Sequence, residues 1–341
     1  MTDDVLVRVE GAQLHYPIGG VFAAMRGGPN VVKGVDGIDF TLRRGESVGL
    51  LGESGCGKTS TGRLLLKLDD PTGGRISFDG DEITSLKGDA LKAFRRRAQL
   101  IFQNPFEALN PRFTIRAALS EPLENARVSR DQRTDRTRRA LELVRLPEPD
   151  QFLDRYPHQL SGGQLQRIVM ARALILEPDF VVADEPVSML DVSVRAGVLN
   201  VFRDVRKRMG LTAVYISHDL ALVRYVCERT IVMYLGRIVE DGPTEDLVRE
   251  PLHPYTKALV AAVPVPHPEQ SHDPLPIGRG APDPRNPPSG CTFRDRCPMA
   301  HERCAVEAPG PTRVGNRLVH CHLFDPAAVG TPANGPSACP E

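Results

Sequence analysis

The sequence predicts an α/β fold in which a mostly parallel sheet is covered by helices on both faces. Short apolar strands such as "FVVADE" and "TAVYIS" alternate with helical segments in the second half of the chain, and this alternation is typical of parallel sheets. A glycine-rich loop lies between the apolar strand "VGLLG" and a helix, a position where α/β proteins bind phosphates. A helical stretch over about 115–178 interrupts the strands, which predicts a helical subdomain.

The first elements along the chain are strands and turns. "VLVRVEGAQLHY" alternates apolar and polar residues as a half-buried strand does. "VDGIDFTLRRGES" predicts a hairpin with Gly45 in its turn, and the glycine-rich segment before it predicts a loop. A helix is expected from Thr59 to Leu68, followed by the turn-bounded strand "GGRISFDGDEI" and a basic helix over 88–97.

The later elements continue the alternation until the composition changes. Helices are predicted for "VSVRAGVLNVFRDVRKRM" and "LALVRYVC", and a pair of strands for "RTIVMYLGRIVEDG". After residue 262 the chain is dense in proline and polar residues, which predicts a linker or an extended arm. The tail over 326–341 is rich in alanine, proline and glycine and is predicted to be disordered.

The 341-residue chain carries 43 basic and 43 acidic side chains, so its formal net charge is zero. This balance gives no electrostatic reason to expect nucleic acid or an anionic membrane as the main partner. The sequence shows no secretory signal, and no uncharged apolar stretch approaches the roughly 18 residues needed to span a bilayer. We therefore expect a cytoplasmic location.

The stretch "GESGCGKTS" fits the phosphate-loop pattern G-x-x-x-x-G-K-[ST]. Glycines allow backbone N–H groups to wrap closely around phosphates, and the following helix presents its positive end. Lys58 is expected to reach the β- and γ-phosphates, and the Thr59 hydroxyl to bind Mg²⁺. The alternative, a glycine-rich turn that binds nothing, fits the flanking strand and helix poorly. The predicted nucleotide-binding residues of the loop are Gly52, Ser54, Gly55, Cys56, Gly57, Lys58, Thr59 and Ser60.

Polar side chains follow three short strands, at ends expected to lie beside the phosphates. "FVVADEP" ends in Asp184, expected to hold Mg²⁺, and Glu185, expected to polarise the attacking water. His218 follows "YIS" and is a candidate contact of the γ-phosphate. Gln103 follows the apolar run "LIF". The alternatives are two exposed acids, a structural histidine and an ordinary surface amide.

The stretch "LSGGQLQR" predicts a second anion site. Ser161 is expected to cap a helix whose first residues, Gly162 and Gly163, leave backbone N–H groups bare at its positive end. No strand precedes this helix, and the stretch contains no nucleophile or catalytic acid. One explanation is that the second site serves the nucleotide of another subunit.

Taken together, these motifs resemble the ATP-binding subunits of ABC transporters. Residues 1 to about 262 contain "GESGCGKTS", "FQNP", "LSGGQ", "VVADEP", "SMLD" and "SH" in the order of that family. The resemblance implies an ABC-type P-loop ATPase with a RecA-like core, an antiparallel β subdomain and a helical subdomain. It implies a nucleotide-binding domain over 1–245, with its helical subdomain at about 105–178, and a cysteine-bearing C-terminal extension over 246–325.

The resemblance also implies a head-to-tail dimer that sandwiches two ATP molecules. Each ATP would be held by the phosphate loop of one subunit and by the "LSGGQ" helix of the other. "SMLD" replaces the commoner "SALD", and we expect this departure to affect interface packing only. The resemblance implies that Tyr16 stacks on adenine, although it could instead be a core tyrosine. The implied catalytic residues are Lys58, Gln103, Glu185 and His218, and the implied Mg²⁺ ligands are Thr59, Gln103 and Asp184. Across the interface, the nucleotide would be contacted by Ser161, Gly162, Gly163 and Gln164, and Asp191 would communicate between the subunits.

Longer phrases, "FQNPFEALNPR", "DEPVSMLDVSVRAGVLN", "MYLGRIVE" and "PLHPYTKAL", resemble the dipeptide and oligopeptide importer branch. This implies a second, usually different ATPase subunit, two membrane permeases and, indirectly, an extracytoplasmic solute-binding protein. The subunit would lie on the cytoplasmic face of the inner or plasma membrane. The branch also imports nickel, opines and oligosaccharides, so the solute stays open.

The sequence disfavours two other functions. A soluble ABC-type ATPase acting on DNA or ribosomes normally carries two cassettes or a long coiled coil, and the sequence shows neither. An exporter subunit is disfavoured by "HPYTKAL" and by the cysteine-bearing extension.

Four of the seven cysteines lie close together near the C-terminus, at Cys291, Cys297, Cys304 and Cys321. Their spacing lacks the close pairs of zinc sites and the common ferredoxin pattern, so spacing alone leaves a metal centre and free thiols open. The importer branch has an extension with such a pattern, which implies a [4Fe–4S] cluster on these four thiolates, with zinc or unligated thiols as alternatives. Cys56 lies near a helix end and Lys58, a setting that lowers a thiol pKa, although a small residue that simply fits the loop is the preferred interpretation.

Overall fold

The computed structural model describes residues 4–17, 31–263, 278 and 283–325. The predicted disordered tail, Cys339, most of the glycine-rich loop and most of the proline-rich linker lie outside these residues. The described chain forms two sheets, one of four strands and one of eight, with helices packed around the larger one.

The smaller sheet is antiparallel, with the strand order β2-β1-β4-β5. Its central strand β1 buries alternate residues, among them Val7 and Val9, as the alternating sequence predicts. The predicted hairpin around Gly45 is wrong: the turn is present, but the strand before it joins the small sheet and the strand after it joins the large one. The strands are β1 (Val5–Pro17), β2 (Val31–Arg43), β4 (Gly73–Phe78) and β5 (Asp81–Glu82).

The larger sheet has the order β11-β12-β10-β9-β3-β8-β7-β6, and its neighbours from β9 to β6 run parallel. All five residues of β3, "SVGLL", are buried, which is typical of a parallel strand covered on both faces. In β7, Val181 and Ala183 face the helical core while Val182 faces the small sheet. The strands are β3 (Ser47–Leu51), β6 (Ala98–Ile101), β7 (Phe180–Asp184), β8 (Thr212–Ser217), β9 (Arg229–Tyr234), β10 (Arg237–Pro243), β11 (Thr312–Val314) and β12 (Arg317–Val319).

The helices match the predicted helical segments closely. The basic helix spans the predicted residues, and Thr114 accepts a capping hydrogen bond at the start of the helix that opens the predicted helical stretch. Five helices lie between β6 and β7, and their apolar residues join the core on one face of the large sheet. The helices are α1 (Lys58–Leu65), α2 (Gly88–Arg97), α3 (Pro105–Ala108), α4 (Ile115–Asn125), α5 (Arg130–Leu143), α6 (Asp150–Leu153), α7 (Gly162–Leu174), α8 (Val192–Met209), α9 (Leu220–Val226), α10 (Thr244–Arg249), α11 (Pro254–Ala261) and α12 (Glu302–Val306).

The C-terminal segment packs onto the main body rather than standing apart. Its strands β11 and β12 extend the large sheet, with β12 antiparallel to β10. Phe293 is 1% exposed and lies against the rings of Tyr234, Tyr255 and His253. None of the helices in the described ranges combines the length and apolar character needed to cross a membrane.

Candidate active site

The phosphate loop joins β3 to α1 and needs glycine for steric reasons. A Cβ at Gly52 would lie 2.3 Å from the carbonyl oxygen of Met233, and a Cβ at Gly57 would lie 2.1 Å from that of Gly34. Gly57 also has a φ of 106°, a conformation that residues with a side chain rarely adopt. Neighbouring backbone therefore leaves no room at two of the loop's glycines.

Lys58 points into the loop that precedes it. Its ammonium group donates hydrogen bonds to the carbonyl oxygens of Gly52, at 2.6 Å, and Glu53, at 2.9 Å. The side chain is 6% exposed, so a charged group is held at the centre of a concave backbone. The prediction that Lys58 contacts the β- and γ-phosphates concerns this ammonium group.

Cys56 is buried inside the phosphate loop. The residue is 3% exposed, and its sulfur lies 3.8 Å from Nζ of Lys58. Burial raises the pKa of the Cys56 thiol above its usual value and outweighs the lowering by Lys58. The expectation that this setting lowers the pKa is therefore wrong, and the preferred interpretation of a small residue that fits the loop agrees with the burial. Within the same loop, Ser54 and Gly55 are exposed.

Two of the three candidates for Mg²⁺ binding, Thr59 and Asp184, meet beside the phosphate loop. The Thr59 hydroxyl donates a hydrogen bond to Oδ1 of Asp184 at 3.3 Å. Burial raises the pKa of Asp184, and the neighbouring charge of Glu185 raises it further. A half-buried carboxylate beside a hydroxyl is a set of oxygen donors that suits Mg²⁺. The positive charge of the ion would in turn favour the ionised form of Asp184.

Glu185 lies between two of the other candidates for catalysis, His218 and Gln103. Its Oε1 is 2.9 Å from Nδ1 of His218, and its Oε2 accepts a hydrogen bond of 3.3 Å from Nε2 of Gln103. Glu185 has a φ of 41°, an unusual backbone conformation for a residue with a side chain. Its N–H donates to the carbonyl oxygen of Ile216 in β8, which ties the strained residue to the sheet.

Tyr16 lies over the start of α1 and is 38% exposed. Its hydroxyl is 3.3 Å from both the Ser60 hydroxyl and a carboxylate oxygen of Asp69. The side chain is therefore partly exposed beside the phosphate loop, and its hydroxyl has hydrogen-bond partners. The alternative, a tyrosine buried in the core, does not describe this residue.

The "LSGGQ" stretch forms the start of α7 as the sequence predicts. Ser161 caps the helix: its N–H donates to Oε1 of Gln164, and the N–H of Gln164 donates to the Ser161 hydroxyl. The structure adds a steric reason for glycine that the sequence did not reveal. A Cβ at Gly163 would lie 2.5 Å from the Val194 side chain. Asp191, the residue before α8, is exposed and makes no capping hydrogen bond.

The four C-terminal cysteines converge but do not form a metal-binding arrangement. None is in a disulfide, and the backbone N–H of Cys291 donates to the carbonyl oxygen of Cys304. Burial raises the pKa values of Cys291 and Cys297. Burial, together with the other three thiols, raises the pKa of Cys321 to about 11. The structure nevertheless places no group of three or more His, Cys, Asp or Glu side chains to hold a metal ion among the residues it describes.

Two residues near the site have contacts that the sequence did not predict, although Ser188 begins the "SMLD" motif. The Ser188 hydroxyl donates to the backbone carbonyl of Glu185 and lies 3.5 Å from Nε2 of Gln103. The N–H of Glu53 donates to the hydroxyl of Tyr255, which lies 202 residues further along the chain. Ser188 could have been found from its position three residues after Glu185, whereas no local pattern indicates the contact of Tyr255.

Comparison with known proteins identifies the family. The ABC transporter family profile matches residues 35–188, and the profile of the oligopeptide/dipeptide transporter C-terminal region matches 239–304. A putative peptide import ATP-binding protein of Brucella ovis is 49% identical over 310 residues, which cover 91% of this chain and 94% of the relative. The chain belongs to the ATP-binding subunits of ABC transporters.

Other ABC transporter proteins and ATP-binding cassettes are similar over 70% to 95% of the chain. The dipeptide transport ATP-binding protein DppF of Haemophilus influenzae is 42% identical, over 95% of this chain and all of the relative. Among solved structures, cbiO1 of Clostridium perfringens, part of the ABC transporter complex cbiONQ, has a TM-score of 0.64 at 25% identity and covers 73% of this chain and 92% of its own. A dimeric ATP-binding cassette bound to ADP and Pi has a TM-score of 0.61 at 27% identity, covering 70% of this chain and 99% of its own.

Proposed function

We propose that this chain is the ATP-hydrolysing subunit of a transporter that imports peptides or related solutes. ATP binding would close a dimer of ATPase subunits, and hydrolysis would reopen it. The observation that carries this proposal is the position of Glu185, which lies between Gln103 and His218 and next to the Thr59–Asp184 pair. A carboxylate held beside a phosphate loop is the arrangement that orients a water molecule for attack on a phosphoryl group.

The proposed roles follow from the chemistry of each side chain. Lys58 and the loop's N–H groups bind the triphosphate, while Thr59 and Asp184, with Gln103, hold Mg²⁺, which would neutralise charge on the phosphates. Glu185 orients and polarises the water, and His218 positions the Glu185 carboxylate and contacts the γ-phosphate. The remaining proposed nucleotide contacts are Tyr16 against adenine and, in the partner subunit, the "LSGGQ" helix, with Asp191 at the interface.

The test is the hydrolysis and binding of ATP by Glu185→Gln. Glutamine has the shape of glutamate but not its charge, so we expect ATP binding to persist and turnover to fall at least about a hundredfold. Glu142→Gln, an exposed residue of α5, is the matched control and should hydrolyse ATP at the native rate. Hydrolysis at the native rate by Glu185→Gln would show that another residue activates the water.

The importer assignment rests on the similarity to proteins named for peptide import and on the match to the oligopeptide/dipeptide transporter C-terminal region. These similarities favour import over a soluble ATPase that acts on DNA or ribosomes. The proposed partners are a second ATPase subunit and two permeases, with a solute-binding protein outside the membrane, and the proposed location is the cytoplasmic face of the membrane. Co-purification with two polytopic membrane proteins would support this assignment, whereas stimulation of ATPase activity by DNA or ribosomes would contradict it.

The proposal also includes the domain boundaries of the chain. We propose a nucleotide-binding domain over 1–245, with a helical subdomain at about 105–178, and an extension over 246–325. The five helices between β6 and β7 support the helical subdomain. Limited proteolysis followed by mass measurement tests these boundaries.

We also propose that Cys291, Cys297, Cys304 and Cys321 hold a thiolate-bound metal centre, with a [4Fe–4S] cluster as the first candidate and zinc as the second. The convergence of four free cysteines supports this proposal, although their present placement is not a ligand set. Protein purified without oxygen should contain about four irons and the characteristic absorption of a cluster. Cys304→Ser should lose both, and Cys227→Ser, in the main core, should keep them. A metal-free native protein would refute the proposal.

A further inference from the structure

An ion pair joins the C-terminal extension to the phosphate loop. Nη1 and Nη2 of Arg296 donate to the two carboxylate oxygens of Glu53 at 2.8 and 3.0 Å. Glu53 is the second residue of "GESGCGKTS", and Arg296 directly precedes Cys297. Two parallel hydrogen bonds between a guanidinium and a carboxylate fix both position and orientation, so this pair links two parts of the chain that lie 243 residues apart.

The arginine is firmly held on its own side. Its side chain is 14% exposed, and its guanidinium carbon lies 5.7 Å from the ring centre of Tyr234 and 5.9 Å from that of Phe293. Arg296 ends a short 3-10 helix, Arg294–Arg296, that follows the buried Phe293. Cation–π contacts and this anchor limit the freedom of the guanidinium, so it acts as a fixed support for Glu53.

Glu53 is held at each of its polar groups. Its carbonyl oxygen accepts from Lys58, its N–H donates to Tyr255, and its carboxylate accepts from Arg296. The carboxylate is an unfavourable neighbour for a triphosphate, because two negative charges repel each other most strongly where water is partly excluded. An ion pair that neutralises the carboxylate and fixes its direction would reduce this repulsion.

We propose that Arg296 is a positioning residue for ATP, which acts through Glu53 and makes the affinity of the phosphate loop depend on the C-terminal extension. This inference rests on the proposed ATPase function but not on a metal at the four cysteines. The side chain of Glu53 is 33% exposed, so water screens part of the charge. We therefore expect loss of Arg296 to weaken ATP binding about tenfold, which corresponds to about 1.4 kcal/mol.

The test is a double-mutant cycle on the full-length chain with Arg296→Met and Glu53→Gln. Binding of the non-hydrolysable β,γ-imido analogue of ATP, with Mg²⁺, is measured by titration calorimetry. Arg296→Met should bind about tenfold more weakly, whereas Glu53→Gln and the double variant should stay within about threefold of the native chain. In the ATPase assay the KM of Arg296→Met should rise by the same factor while kcat changes less than about twofold.

Arg294→Met is the matched control for damage to the extension. Arg294 lies in the same short helix, but its hydrogen bonds go to Ser289, Asp295 and Ala305 and not to the phosphate loop. Native nucleotide affinity is expected for this variant. An equal loss in Arg294→Met and Arg296→Met would overturn the inference, because it would indicate a general disturbance of the extension.

The remaining outcomes also decide the question. Native affinity in Arg296→Met, or a double variant as weak as Arg296→Met, would overturn the role of the pair. If Arg296→Met does not fold, Arg296→Lys, which keeps the charge but not the two-pronged contact, should weaken binding about threefold, and an unchanged affinity would be a refutation. Failure of the native chain itself to bind the analogue would instead refute the proposed ATPase function.

Discussion

Removing the ring of Phe293 is expected to loosen the C-terminal extension from the main body. Phe293 is 1% exposed, and its ring centre lies 5.2 Å from that of Tyr234, 5.4 Å from that of Tyr255 and 5.6 Å from that of His253. The substitution Phe293→Ala would leave a cavity among these three rings. All three residues are at most 2% exposed, and a closely packed core relaxes only partly around a cavity.

The expected cost is large for a single side chain. Truncation of a buried phenylalanine to alanine typically costs about 3–5 kcal/mol of unfolding free energy. The contact with Tyr234 is edge-to-face, with an angle of 87° between the rings, and such pairs add about 0.5–1.5 kcal/mol beyond the buried area, part of which the truncation figure already includes. We therefore expect a loss of about 4 kcal/mol in the stability of the docked extension.

Two measurements detect this loss. Hydrogen exchange of the β12 amides reports the opening of the extension, and urea unfolding reports the stability of the whole chain. Met299→Ala is the control, because Met299 lies in the same segment but is 52% exposed, and it should change stability by less than about 0.5 kcal/mol. A loss of under about 1 kcal/mol for Phe293→Ala, or one no larger than that of the control, would show that Phe293 does not anchor the extension.

Three further predictions concern the site and its surroundings. Gly57→Ala should bind ATP at least about tenfold more weakly by calorimetry, because the new Cβ would lie 2.1 Å from a carbonyl oxygen; Gly55→Ala, with nothing within 4 Å, should lose less, and equal losses would contradict the steric reason. Burial lowers the pKa of His253 to about 3. Below about pH 6.5 this histidine therefore takes up a proton in the unfolded chain but not in the folded chain. The stability of the folded chain consequently decreases as the pH is lowered. Between pH 7 and pH 5 the native chain should therefore lose about 2 kcal/mol more than His253→Asn in urea unfolding, and equal losses would exclude this histidine as the cause. Ser161→Ala should lower stability by about 1 kcal/mol through loss of the helix cap, and Ser161→Thr should retain most of it; no difference between the two would argue against capping.

The sequence allowed the prediction of features that depend on local patterns. The phosphate loop, the acidic end of β7 and the capped start of α7 all lie where strand, loop and helix signals predict them. The helix over residues 88–97 is confirmed to the residue. Each of these features is determined by residues that are near one another in the chain, so the periodicity and the capping residues were sufficient.

Features that depend on distant residues could not be predicted. The turn at Gly45 was correctly placed, but the sheet that each flanking strand would join was not, because strand alternation does not identify the partner. Strands β11 and β12 have three residues each, too few for a periodic pattern. The thiol of Cys56 was expected near a positive helix end, whereas its burial, which determines the direction of its pKa, comes from the fold around it. The contact of Arg296 with Glu53 is of the same kind.

The pairing of β12 with β10, Val319 opposite Glu240 and Leu318 opposite Asp241, has a consequence for the behaviour of the chain in solution. Without β12, the backbone N–H and C=O groups along one side of β10 would be left unpaired on a strand that is otherwise largely buried. Such an exposed margin is a template on which a second chain can add a strand and begin aggregation. The cysteine-bearing segment therefore also protects the protein against self-association, and a chain shortened before residue 283 should precipitate more readily than the full-length protein.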